Sequence, residues 1–121
     1  MSFRWIRTIL RYVSDGAWPL QWIRACLELA VLGSVIEAPL HGYGIAQHLE
    51  GRGFGRLKGG SLYPVLARLE NAGHVEAAWQ QGDFGPSRKY YTITGAGRRY
   101  LTDGLTQWKA LARALDPAEE L

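Results

Sequence analysis

Cysteine is nearly absent: 121 residues contain one, Cys26. No internal disulfide can form, and nothing points to an oxidising compartment. Cys26 lies in an apolar run, where a small buried hydrophobe is the expected role. Long hydrophobic runs are missing as well. The longest, about Cys26 to Ile36, contains Glu28 and is too short to span a bilayer. The opening does not read as a signal peptide. Arg4, Arg7 and Arg11 interrupt Phe3 to Val13, and no small-residue cleavage site follows an apolar stretch. A cytoplasmic protein with no membrane partner is expected. His41, His48 and His74 lack metal-ligand spacing and have no cysteine or carboxylate cluster beside them. The glycines between residues 51 and 60 fit neither a phosphate-binding loop nor a dinucleotide fingerprint. Ser61 has no evident base partner. No metal, no cofactor and no enzymatic activity are expected. Internal repeats and low-complexity tracts are also absent.

What remains is a small folded chain. Its length suits one domain with a modest core. Apolar residues make up 47% and charged residues 21%, a globular composition. The formal charge of +3 hides an asymmetry, because Asp116, Glu119 and Glu120 fall in the last six residues. Residues 1–115 carry 14 basic against 8 acidic side chains, a net +6. A positive body attracts polyanions at long range.

Periodicity supplies the elements. Phe3, Ile6, Ile9, Leu10 and Val13 recur at helical spacing, with Arg4, Arg7 and Arg11 between them, which predicts a short amphipathic helix. A second helix is predicted from about Leu20 to Glu37, apolar on most sides, buried all round and stopped by Ala38-Pro39. A third runs from about Gly42 to Gly51, with His41 before it as a cap or backbone contact. A glycine-rich connection follows. Ser61 reads as the N-cap of a fourth helix, with Pro64 in its first turn, an apolar face of Leu62, Val65, Leu66 and Leu69, and Gly73 as terminator. Two strands, His74–Gln80 and Arg88–Ile93, flank a loop of turn formers. A last helix starts after the N-cap Thr94 and runs to about Leu115, before Asp116-Pro117.

Compact helices followed by a hairpin predict a mainly α fold with a small β-hairpin, the winged helix-turn-helix. The expected division is an N-terminal helical extension (1–19), a DNA-binding domain (20–94), and a dimerisation helix with a short acidic tail (95–121). On the fourth helix, the face opposite Leu62 carries Gly60, Pro64, Ala67 and Asn71, flanked by Ser61, Tyr63 and Arg68. That face is small and polar, as entry into a major groove about 12 Å wide requires. Arg56 and Lys58 precede the helix N-terminus, which favours phosphate. Arg88 and Lys89 stand at the base of the hairpin, placed to lie along a phosphate backbone. Helix and wing together favour DNA over a winged helix used only for protein contact.

The last helix carries Leu101, Leu105, Trp108, Ala112 and Leu115 at heptad spacing. Two heptads do not hold alone, so a homodimer supported by other helices is expected. There are five tryptophans, and all but Trp79 lie in the terminal helices or their linker. Aromatics gathered at an interface wall a pocket for a flat ligand, or simply fill the interface; composition does not choose.

Several blocks resemble the PadR family of winged-helix regulators. They are Leu27-Glu28-Leu29-Ala30-Val31-Leu32-Gly33, then Pro39-Leu40-His41-Gly42-Tyr43-Gly44-Ile45, then Ser61-Leu62-Tyr63-Pro64-Val65-Leu66-Ala67-Arg68-Leu69-Glu70, and Gly85-Pro86-Ser87-Arg88-Lys89-Tyr90-Tyr91-Thr92-Ile93-Thr94-Gly95-Ala96-Gly97. The resemblance implies a repressor that dimerises through its C-terminal helix and binds a promoter inverted repeat in double-stranded DNA. It implies that Tyr43, Lys58, Ser61 and Tyr63 lie at or near the DNA, with Arg88 and Lys89 in the wing. A single helix after the wing matches the short subfamily, some of whose members bind flat aromatic compounds between subunits using a tryptophan at the position of Trp108. Trp5 and Trp22 are the further expected walls of such a small-effector pocket. Residues 1–19 extend beyond the usual start of the family and could cover that pocket, extend the interface or touch DNA.

Overall fold

The computed structural model describes residues 18–120. The helix expected over residues 3–13, and Trp5 with it, lie outside the described residues. Among the described residues four α-helices and a three-stranded antiparallel sheet make up the fold, in the order α1 (Leu20–Ser34), β1 (Leu40–His41), α2 (Gly42–Leu49), α3 (Gly59–Asn71), β2 (Val75–Gln80), β3 (Arg88–Ile93) and α4 (Gly95–Leu115). This is the winged helix-turn-helix arrangement. Among the described residues no helix is long and apolar enough to cross a membrane.

One core joins every helix to the sheet. Leu27, Val31, Leu32 and Val35 meet Ile45 and Leu49 of α2, Leu62, Val65, Leu66 and Leu69 of α3, and Val75, Tyr91 and Ile93 of the hairpin. Burying a side chain of this size stabilises by about 1.5–3 kcal/mol. α3 is thus held on the core by its apolar face, with Tyr63, Pro64 and Arg68 exposed on its outer side.

α1 departs from expectation twice. It ends at Ser34, not Glu37. The Ser34 hydroxyl donates to the Val31 carbonyl at 2.6 Å, and Val35 and Ile36 bond back three residues, tightening the chain out of the helix before Pro39 is reached. Nor is α1 buried all round. Ile23, Leu27, Val31 and Leu32 face the core, Cys26, Leu29 and Ala30 are half-buried, and Trp22 is 63% exposed. One apolar side of the helix therefore has no covering within the described chain.

The connection after α2 is more ordered than its glycines suggested. Glu50–Phe54 forms a wide helical turn, closed by Gly53 and Gly55 at positive φ (96° and 75°). α3 then starts at Gly59, two residues before Ser61. Ser61 is not the N-cap; Lys58 is, without a side-chain cap, and its carbonyl accepts from the Ser61 and Leu62 N–H groups. Pro64 accordingly stands in the second turn and deletes the bond that the Gly60 carbonyl would have received. The far end follows expectation: Gly73, at φ 78°, lets its own N–H reach Glu70 and the His74 N–H reach Leu69, satisfying the last carbonyls.

β2 and β3 pair from Val75↔Ile93 to Gln80↔Arg88, and the two-residue β1 adds Leu40↔Tyr91 and His41↔Tyr90. β1 was not anticipated, since two residues carry no alternation. Thr94 caps α4 by accepting from the Gly97 N–H at 3.0 Å, while its own hydroxyl donates to the Gly73 carbonyl. Gly97 lies against the His74 carbonyl, leaving no room for a Cβ. A Cβ on Gly104 would fall 2.6 Å from Leu29. These two glycines seat the first turns of α4 on the body; beyond Gly104 its residues are exposed.

Candidate nucleic-acid interface

The start of α2, the start of α3 and the base of the wing converge on one concave face. His41, Gly42, Tyr43, Tyr63, Trp79, Arg88 and Lys89 line it. Its central ring is clamped. A Cβ at Gly42 would lie 2.9 Å from the Tyr63 hydroxyl oxygen, and one at Gly59 would lie 3.2 Å from the other edge of the ring. Two side-chain-free positions on different helices thus fix Tyr63 against the α2 N-terminus. The residue stays 55% exposed, so the ring is contacted on two edges while much of it faces solvent.

His41 ties the helix to the wing. Its Nδ1 accepts the Gly44 N–H at 3.0 Å and caps α2, and its ring stacks on Tyr43 and meets Tyr90 edge-on. A neutral ring that accepts at Nδ1 carries its proton on Nε2. That nitrogen lies 2.9 Å from the Arg88 guanidinium nitrogen. Two donors then face each other, and the contact supplies no hydrogen bond. Burial first, and the Arg88 charge second, hold His41 below its ordinary pKa of 6.5. Among the described residues Arg88 pairs with no carboxylate. It is an exposed, unneutralised cation beside Tyr43 and Tyr63.

Lys89, by contrast, is already occupied. Its ammonium donates to Glu70 of α3 at 3.1 Å and sits 5.7 Å from the Tyr91 ring centroid. The Glu70 bond raises its pKa. The pair braces the wing against the helix. Lys58 and Pro64 are exposed near the start of α3, and Ser61 is half-buried.

Arg68 does not join this face. It pairs with Glu28 of α1 at 3.2 Å, and the other Glu28 oxygen accepts from the Tyr100 hydroxyl at 3.0 Å. Its long side chain is drawn toward α1 and α4, into a separate hollow with His74 and Tyr100. The helical wheel placed Arg68 beside the recognition face because it could not see Glu28, forty residues away. Trp79 was missed. It follows Val75 and Ala77 on one side of β2, where the core gives out before the strand does, leaving it exposed opposite Lys89.

The expected interface helix divides in two. Leu101 is 5% exposed and belongs to the chain's own core, so it is not available to a partner. Leu105, Trp108, Ala112 and Leu115 are exposed, and Leu111 joins them. Trp108, Leu111 and Leu115 form one wall of a groove whose other wall is Trp18, Trp22, Cys26 and Phe54. Trp18 rests edge-on against Phe54, with centroids 5.2 Å apart.

The model of the transcriptional regulator PadR-like family matches residues 31–103, which contain α2, α3, both wing strands and the start of α4. The chain belongs to this family. A PadR-like transcription factor from Bacteroides fragilis has a solved structure that is 30% identical, covers 79% of this chain and 92% of its own, and superposes with a TM-score of 0.69. A PadR family transcriptional regulator from Eggerthella lenta is 28% identical, with 94% of each chain covered and a TM-score of 0.73. The transcriptional regulator Rv3488 of Mycobacterium tuberculosis is 36% identical over 90 residues, 74% of this chain and 82% of the relative. As a PadR-like protein the chain is a DNA-binding regulator of transcription, not an enzyme.

Proposed function

We propose that this PadR-like regulator is a homodimeric repressor of a promoter inverted repeat. α3 enters the major groove, with Tyr63, Pro64 and Ser61 toward the bases or their flanking phosphates. Lys58 and Tyr43 lie beside the backbone, and Arg88 closes on the phosphates from the wing. The observation that carries the reading is the clamped Tyr63 beside the unneutralised Arg88. A fixed donor and a free cation at one helix start are what phosphate positioning needs. Lys89 serves as a brace rather than a free contact. The working division is an extension over 1–19, a DNA-reading unit over 20–94 and a dimerisation helix with an acidic tail over 95–121.

The dimer is supported by the exposed apolar side of α4, since a reader of half-sites about one helical turn apart needs a two-fold partner. The groove beside Trp108 and Trp22 has a volume of about 540 Å³, within the range that holds a small aromatic molecule. Such an effector, with Trp5 as a further wall, releases the operator by favouring a different spacing of the two recognition helices. Footprinting on the DNA upstream of the protein's own gene tests the operator. Protection of two half-sites about 10 base pairs apart is expected; no protected repeat on any genomic fragment would remove the repressor reading and favour a protein-contact module.

A further inference from the structure

Phe84 is the most exposed large apolar side chain of the described residues, at 104%, and takes no part in the core. It stands in the middle of the loop over 81–87, which joins Gln80 to Arg88, the last pair of the wing ladder. The two limbs of the loop meet beneath it. A Cβ at Gly82 would lie 3.3 Å from the Pro86 carbonyl oxygen and 3.4 Å from that of Gly85. Gly82 and Gly85 carry no side chains, so the ring stands on a slim tip of nearly bare backbone. A turn in water gains nothing from a phenyl ring; small polar residues serve there. The apolar edge also continues inward. Trp79, 70% exposed, lies next to the end of the ladder and lines the concave face with Tyr43, Tyr63 and Arg88. Asp83 is the one charged residue from 81 to 87, and its sign repels phosphate. What the tip offers to DNA is therefore apolar, not electrostatic.

We propose that Phe84 is a minor-groove wedge whose ring enters between two stacked base pairs and bends the operator. This rests on the reading that α3 and Arg88 face DNA. With α3 in the major groove and Arg88 on the bordering phosphates, the chain beyond Arg88 crosses one strand and meets the minor groove. Phe84 lies four residues from Arg88, a reach of at most about 14 Å. That is enough to pass a strand and enter a groove about 6 Å wide and about 7.5 Å deep. Two backbone limbs about 5 Å apart suit that width where flanking side chains are missing. An apolar wedge unstacks one base step and kinks the duplex. The step that yields most readily is a pyrimidine followed by a purine, so Phe84 adds sequence preference where no side chain reads a base by hydrogen bonds. A dimer carries one wedge for each half-site.

The test uses the full-length protein on the promoter duplex defined by footprinting. An adenine analogue that brightens when unstacked (aminopurine) is placed in turn at the steps flanking each half-site. Energy transfer between dyes on the duplex ends reports the bend. The wild-type protein is expected to brighten one step per half-site and to bring the ends together. Phe84→Ala should lose both signals and about tenfold in affinity, with the footprint over the half-sites retained. Phe84→Leu, still an apolar wedge, should keep the bright step. Asp83→Asn should tighten binding and leave the bright step where it was. A wild-type footprint with no bright step would overturn the wedge and leave the DNA reading intact. So would a Phe84→Ala protein that brightens and bends the duplex as the wild type does. No footprint at all would remove the DNA reading and the wedge with it.

Discussion

Two surfaces of this molecule are unfinished in opposite ways. The face around Tyr63 is polar, and its parts are held by contacts within the chain: glycines grip the tyrosine, His41 caps α2, and Glu70 restrains Lys89. The face around Trp108 is apolar and, among the described residues, nothing packs on its outer side, with Leu115 76% exposed. The first has its contacts in place within one chain, which suits reading a fixed shape. The second gains its order from what covers it, so it suits assembly and control. Both are joined to one core, so in the dimer we propose an event on the apolar side would alter the spacing of the polar faces of the two copies.

Substitutions that separate the two faces sharpen this contrast. Arg88→Glu is expected to have the largest effect: DNA affinity falls about a hundredfold, since a phosphate-facing cation becomes a repelled anion. Dimerisation should be unchanged by sedimentation. Trp108→Ala does the reverse. Loss of a central aromatic costs about 2 kcal/mol, roughly thirtyfold in dimer dissociation, while the fold measured by circular dichroism survives. If each variant damages both properties equally, the faces are not separable. Tyr63→Phe removes one hydroxyl and should weaken operator binding by about 1 kcal/mol, roughly fivefold, with no change in urea stability.

A smaller effect follows from His41. Its folded-state pKa lies below the ordinary 6.5, so the neutral cap contributes stability that is present above that value and lost as pH falls through the folded pKa. The urea midpoint should decline on going from about pH 7.5 to about pH 5, and His41→Gln should flatten that decline; an equal slope in both proteins would remove His41 as its source. Arg68→Ala is expected to do least. The exposed pair with Glu28 is worth about 0.2–1 kcal/mol of stability, and operator affinity should not move. A tenfold loss of affinity would return Arg68 to the recognition face.

Much of this was legible in the residues because local rules and the fold agree. The wing strands, the Thr94 cap and the Gly73 terminator all have short-range chemistry that the fold leaves intact. The losses occurred where distant groups decide. Ser61 has a good capping side chain, yet Gly59 and Gly60 permit the helix to start earlier, with Tyr63 packed on the first of them. Arg68 was misplaced by an ion pair across forty residues. Leu101 fits a heptad, yet Gly97 and Gly104 bring that part of α4 down onto the body and take Leu101 into the core. Spacing alone does not reveal which turn of a helix faces a neighbour and which faces a partner.

We propose that the Tyr63 and Arg88 faces of two chains together read a specific DNA sequence. Fluorescence anisotropy on promoter DNA and on a scrambled duplex, across a salt series, tests it most directly. Tight binding at two chains per promoter duplex is expected, with a preference over the scrambled duplex that persists as salt rises. Weak binding that is equal on both duplexes and vanishes with modest salt would leave only phosphate attraction and would contradict it.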